Sequence, residues 1–326
     1  MTKKRIDFID LAKGVCIILV VFGHTGSPII IPGLSVVRMP LYFMLSGLFF
    51  KDYGGWLQFA IKKTNKILIP FLFFYLLSYV FFYLIKLLKP ELLITDAKGI
   101  LDMFDNRQFF NGPIWFLLAL YWCNVFFCGI VMAFKNDFAK FVAVCVMGFI
   151  GWYLGHLNIF IPLFIDVALT SMPFFTMGYF LKKTELLYPN RYDKYNLLFF
   201  IILWGISWLI EESMHQRLSL HYNAIEGWST YLLAFTSVMS ILLLCKAINH
   251  LPFITYIGRY SIIILCVHHL IYRPLIVLSR SFLPDNNIGK FIIALTTLLL
   301  SAACIPFFKR YLPWFCAQKD LIKVAK

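Results

Sequence analysis

ILIPFLFFYLLSYVFFYLIK, residues 67–86, is twenty residues long and carries no charge before Lys86. A helix of that length rises about 30 Å, the thickness of a bilayer's hydrocarbon core. The run is apolar on every side, so lipid rather than a water-driven core is its natural surrounding. Working outward, comparable runs lie near 8–26, 36–50, 113–134, 139–156, 160–181, 195–211, 229–248, 259–278 and 290–309. The sequence therefore predicts an all-α, polytopic integral membrane protein with about ten transmembrane helices. The second run is short and contains Pro40 and Gly47, which predicts a tilted or broken helix. A β-barrel is excluded, because its strands read as short alternating segments.

Composition agrees. The 326 residues are 61% hydrophobic and 14% charged, against about 25% charged in soluble domains. Mean hydropathy is +0.79. The net charge of +14 does not point to nucleic acid, because the basic residues sit at span ends. With the N-terminus inside, twenty of the thirty Lys and Arg fall in inner segments and nine in outer ones, Lys13 lying within a span. That bias predicts both termini cytoplasmic. Two longer outer segments, 87–112 and 212–228, hold most of the outer polar groups, and Phe109, Phe110 and Trp228 there suit the lipid interface. The eight cysteines lie in or beside apolar runs without CxxC spacing, so neither a disulfide framework nor a metal site is expected. The start, Lys3-Lys4-Arg5 before an apolar stretch, is similar to a signal peptide, but Asp10 and Lys13 interrupt it, so an uncleaved first span is expected.

That first span is the unusual one. Charges inside a span cost about 2.5–3.5 kcal/mol each on insertion scales and face a bundle interior or a wet cavity. Lys13 and His24 are eleven residues apart, roughly 1100° of helical rotation, so they diverge by only about 20°. Asp10 lies at i,i+3 from Lys13 on the same face. The three residues form one stripe, with His24 about 16 Å further toward the outside than Lys13. A single lipid-shielded passage joining Lys13 to His24 is the expectation. Taken singly, Asp10 and Lys13 also suit an interfacial ion pair, and His24 a polar end of a span.

At RIDFIDLAKGVCIILVVFGH, from Arg5, the chain resembles the bacterial membrane acyltransferases of acyltransferase family three. Their opening basic-x10-histidine helix is matched by Lys13-x10-His24. Further segments match in order: MPLYFMLSGLFF from Met39, with Ser46-Gly47; KKTNKILIPF from Lys62; GPIWFLLALYW from Gly112, with Trp115; MPFFTMGYFL from Met172; and IGRYSIIILCVHHLI from Ile257, with His268 at the family histidine. Arginine is common where Lys13 stands, and lysine keeps the charge but not the planar fork. The resemblance implies a single transmembrane acyltransferase-like domain over residues 1–326, without an appended hydrolase-like domain.

It further implies transfer of an acyl group, often acetyl, from acyl-CoA to a carbohydrate hydroxyl. A hydroxyl is a poor nucleophile until its proton is removed, and a histidine with an ordinary pKa of about 6.5 suits that task. His24 is the expected general base, with Lys13 the catalytic cation beside the donor's path. Asp10 is too distant to orient His24, by about 21 Å, so the orienting partner belongs to another span. Lys13 either contacts donor phosphate or holds an inner gate through Asp10. Lys62, Lys63 and Lys66 suit capture of CoA phosphates as point charges, and equally suit topology control. Arg38 suits an acidic or polar acceptor, and Trp115 a sugar face or an interface anchor. Asp10, Ser46 and His268 complete the substrate-binding set, the last two through the resemblance alone. Glu211, Glu212 and Glu226 are read as solvated. The implied partners are acyl-CoA, a carbohydrate or glycolipid acceptor and the bacterial inner membrane, with no permanent cofactor. Rivals are a secondary transporter exporting a sugar or lipid-linked intermediate, or a membrane scaffold.

Overall fold

A computed structural model describes residues 6–27, 31–88, 99–101, 104, 107, 109–214, 218–279 and 281–323. Lys3, Lys4, Arg5, Lys89, Lys98, Arg217, Arg280 and Lys326, counted above for orientation, lie outside the described residues, as does much of the segment 87–112.

The described residues are mostly helical. Its helices are α1 (Asp7–His24), α2 (Arg38–Leu48), α3 (Trp56–Lys63) and α4 (Ile69–Leu88), the last two joined by a π-helical turn, Thr64–Leu68. There follow α5 (Trp115–Ala133), α6 (Asp137–His156), α7 (Ile165–Leu181), α8 (Asn196–Met214) and α9 (Ser229–Ile248). The last are α10 (Pro252–Arg259), α11 (Ser261–Ser279), α12 (Asn287–Ala303) and α13 (Ile305–Tyr311). A two-residue hairpin, β1 (Leu218–Ser219) against β2 (Ala224–Ile225), interrupts the second outer segment. Helices satisfy their own backbone groups, which is what lipid demands.

Eight helical runs among the described residues are long and apolar enough to cross a bilayer. The other two of the ten expected spans differ for physical reasons. α1 has 18 residues but carries Asp7, Asp10 and Lys13, and α2 has only 11 residues, a rise of about 16 Å. Both are largely buried among the other helices. α1 packs on α10, where a Cβ at Gly258 would come within 1.8 Å of the Asp10 carbonyl oxygen. α2 crosses α7 at Gly47 and Gly178, each of whose added Cβ atoms would meet the partner backbone at 1.8 Å. Two of the segments that carried the resemblance are thus one backbone-to-backbone crossing of the small-residue type.

The approach to α2 is also fixed. Gly33, at φ 78°, donates its N–H to Glu211 at 2.5 Å, and its carbonyl accepts from the Ser237 hydroxyl at 2.7 Å. Glu211 therefore holds a backbone turn rather than serving solvation alone. Two of the expected interface aromatics also face inward. Phe109 and Phe110 are buried, Phe109 stacking on Phe164 at 5.5 Å, whereas Trp228 is half exposed.

Candidate active site

His24 ends α1 with its imidazole exposed to a cavity of 270 Å³. Arg38, Trp115 and His221 share that lining, and among the described residues no Asp or Glu does. The Arg38 guanidinium crosses directly over Gly23, where an added Cβ would lie 2.0 Å from Nη1. A side chain at position 23 would displace this cation from its place over the helix end.

One wall is an aromatic stack. The Trp115 ring lies 5.5 Å from that of His221 at an angle of 12°, and Phe164 stacks on both at 5.5 Å. Burial lowers the pKa of His221 from its ordinary value, so it stands neutral in the stack. Phe164 and Leu163 both adopt left-handed backbone, φ 59° and 61°, a costly conformation for bulky residues. The reason lies behind them: Arg107, buried, pairs with the fully buried Asp166 at 2.5 Å and donates to the His221 carbonyl at 3.0 Å. Its guanidinium also lies over the Phe160 and Phe164 rings at 4.3 and 4.9 Å.

Behind His24 stand two further imidazoles, His268 at 5.4 Å and His269 at 6.0 Å between ring centroids. His268 is wholly buried and lies outside the cavity lining. The substrate-binding position expected for it therefore becomes a place behind the imidazole, because it sits on the inward side of α11.

Lys13 opens elsewhere. It lines a cavity of 640 Å³ at the other end of the bundle with Asp10, Lys51, Lys182 and Arg259. Asp10 accepts from Lys13 and from Arg259, each at 3.4 Å. Among the described residues, this cavity and the one at His24 share no lining residue. The expected single passage is therefore two cavities on one helical stripe. The layer between them is built by Tyr42, whose hydroxyl donates to the Lys13 carbonyl at 3.2 Å, and Cys16, whose thiol donates to the Arg38 carbonyl at 2.9 Å.

The Lys13 cavity continues along its face of the molecule. Lys51 and Lys182 also line a 320 Å³ cavity with Tyr53, and Tyr53 in turn lines a 400 Å³ cavity with Lys62 and Lys323. The expected basic cluster lies at the far end of this track. Lys62 and Lys66 engage Asp320 of the C-terminal tail at 2.5 and 3.0 Å, and Lys63 lies over the Phe59 ring at 5.6 Å. Ser46 lines neither main cavity; it bonds to the buried Asn124, whose amide donates to its hydroxyl at 3.1 Å.

Lys51, Lys182 and Arg259 entered the sequence reading only as orientation charges. Nothing in their spacing links them, because they come from three segments that only the fold assembles. Arg107 and Asp166 have one faint signal, charges beside otherwise apolar runs.

A family model described as an acyltransferase domain matches residues 6–307, nearly the whole chain. No curated protein and no solved structure matches.

Proposed function

We propose a reaction for a chain that belongs to the acyltransferase-domain family and is a membrane enzyme: transfer of an acyl group, most simply acetyl, from acyl-CoA to a carbohydrate hydroxyl. The acceptor is a cell-surface carbohydrate or its lipid-linked precursor. The setting is the bacterial inner membrane, with both termini cytoplasmic. The observation that carries this reading is the back-to-back pair of cavities on α1. One presents an exposed imidazole beside a guanidinium, and the other is lined by four cations and one carboxylate, Asp10, which pairs with two of them.

The donor's phosphates bind the cationic side, at Lys13, Lys51, Lys182 and Arg259, with Lys62 further along the track. Cations on a partly dehydrated face hold phosphate oxygens through charge-assisted hydrogen bonds. The donor's thioester arm passes the Tyr42–Cys16 layer to reach the His24 cavity. There His24 accepts the proton of the acceptor hydroxyl as its oxygen attacks the thioester carbonyl carbon. Arg38 stabilises the negative charge that develops on the carbonyl oxygen. The intermediate collapses with cleavage of the carbon–sulfur bond, and the departing thiolate takes the proton back from His24. The products are the acyl ester and free CoA. The flat Trp115–His221 wall suits a sugar face.

The test is mass spectrometry of cell-surface glycans with and without the gene. The His24→Ala protein inserts normally and restores no acyl ester, whereas normal ester levels with that variant remove His24 from the mechanism. Two cavities divided by a thin layer also favour a transporter reading. Labelled acyl-CoA with proteoliposomes separates the two: acyl transfer to glycan supports the enzyme, and glycan flux without acylation supports transport.

A further inference from the structure

A general base works only if its proton is on the correct nitrogen. Neutral imidazole carries one N–H and one lone pair. For His24 to accept a proton from the cavity, its N–H must be held by an acceptor on the other side. Among the described residues the cavity lining holds no carboxylate to do this, and Asp10 lies at the far end of α1.

Two imidazoles are close enough to be candidates, and their hydrogen bonds separate them. His269 is engaged on both nitrogens: Nδ1 faces the Gly112 N–H and Nε2 the Arg273 Nε–H, each at 3.3 Å. Neutral His269 has a single lone pair, and one of these two donors takes it, so no acceptor is left for His24. His268 is the opposite case. Its Nδ1 lies 2.9 Å from the Ile264 carbonyl oxygen one turn back on α11. A carbonyl only accepts, so Nδ1 carries the N–H and Nε2 the lone pair. That Nε2 is buried and has no hydrogen-bond partner among the described residues. A buried acceptor left unpaired costs about 1–3 kcal/mol, and its ring is the nearer of the two to His24.

The two rings lie 5.4 Å apart between centroids and are not bonded to each other in this structure. We propose that His268 is the positioning residue for His24, its unpaired Nε2 accepting the His24 N–H once the His24 ring turns toward it, so that the other His24 nitrogen presents its lone pair to the cavity. The inference rests on the acyl-transfer reading and deepens it. When His24 takes the hydroxyl proton it becomes an imidazolium, and its bond to His268 becomes a charge-assisted one that strengthens as the reaction proceeds. His268 stays neutral throughout. The transferred proton remains on His24 until the CoA thiolate removes it. Because His268 touches neither donor nor acceptor, its loss lowers kcat and leaves donor binding alone.

The test uses the full-length protein in nanodiscs, [14C]acetyl-CoA, and alkali-treated envelope glycans of the native host as acceptor. His268→Leu is expected to lower kcat about 100-fold, the scale of a disabled general base, with KM for acetyl-CoA unchanged. His268→Gln, which places an amide oxygen near the Nε2 position, is expected to return kcat to within about tenfold of wild type. A Leu variant within about threefold of wild type, or a Gln variant no better than Leu, overturns the proposal. An active wild type with an active Leu variant overturns this inference alone. A wild type that transfers no label overturns the acyl-transfer reading and this inference with it. Should the Leu variant fail to insert, 15N spectra of histidine-labelled wild type in bilayers decide the matter. One His24 tautomer supports the proposal, and an even mixture of the two overturns it.

Discussion

The Tyr42 hydroxyl donates to the Lys13 carbonyl at 3.2 Å and also meets Cys16 and Ser261, fastening α2 to α1 and α11 midway between the two cavities. In the proposed reaction the acyl thioester passes this ring on its way from one cavity to the other. Tyr42→Phe keeps the ring and loses only the hydroxyl's contacts, each about 0.5–1.5 kcal/mol, so acyl transfer stays close to wild type. Tyr42→Trp enlarges the obstruction, and we expect transfer to fall at least about tenfold, near 1.4 kcal/mol in barrier, while acetyl-CoA still binds. Calorimetric binding beside a transfer assay checks both. Equal transfer by the Trp variant would mean that the donor takes another route.

The Arg107–Asp166 pair is the most buried ion pair among the described residues, and it supports the His221 wall of the outer cavity. Removing one member leaves the other charged and unpaired, which costs about 3–5 kcal/mol in a buried pair. Arg107→Leu and Asp166→Leu should each lower the midpoint of thermal unfolding in detergent. The double variant should lose less than the sum of the two, because no orphan charge remains. Additive losses would show that the pair does not act as a unit.

The limits of the sequence follow from which contacts are local. The Asp10–Lys13–His24 stripe was legible because helical period alone puts three polar residues on one face. The crossing of Gly47 with Gly178 was legible only as two glycine-bearing segments, since nothing in either names its partner. The hairpin at 218–225 left no signal: strands of two residues are too short to alternate. Lys51, Lys182 and Arg259 meet only after folding, and so do His24 and His268, 244 positions apart in the chain. The layer between the cavities was invisible for a different reason. Tyr42 and Cys16 are ordinary span residues whose role depends on their hydrogen bonds to backbone carbonyls.

His221 supplies a pH dependence. Burial lowers its pKa in the folded protein below the ordinary value near 6.5. The unfolded chain therefore binds the extra proton first. Stability from this residue is fully present above pH 6.5 and is lost as pH falls toward its folded value, by at most about 1.4 kcal/mol per unit. His221→Phe keeps the stack on Trp115 without the titration. The wild-type unfolding midpoint should drop more steeply than that of the variant between pH 7 and pH 5. Parallel curves would show that His221 titrates alike in the folded and unfolded protein.

The C-terminal tail offers the last test. Asp320 takes a hydrogen bond from Lys62 and pairs with Lys66, and these contacts hold its carboxyl below the ordinary carboxylate value of about 3.9. Beside it the Asn65 side chain accepts from the Leu321 and Ile322 amides at 2.7 and 2.8 Å. A lowered carboxyl contributes above the unfolded value and loses that contribution as pH falls through the folded one. Protection of the Leu321 and Ile322 amides against hydrogen exchange should therefore be equal at pH 7 and pH 5 and fall only below about pH 4. Asp320→Asn at pH 7 should lower it by no more than about fivefold, since half-exposed ion pairs contribute little. High salt should reproduce that loss in the wild type and add nothing in the variant. If Asp320→Asn leaves protection untouched, Asn65 and the bond from Lys66 to the Ala317 carbonyl at 2.9 Å anchor the tail without it. Lys62 is then free to meet a donor's phosphates.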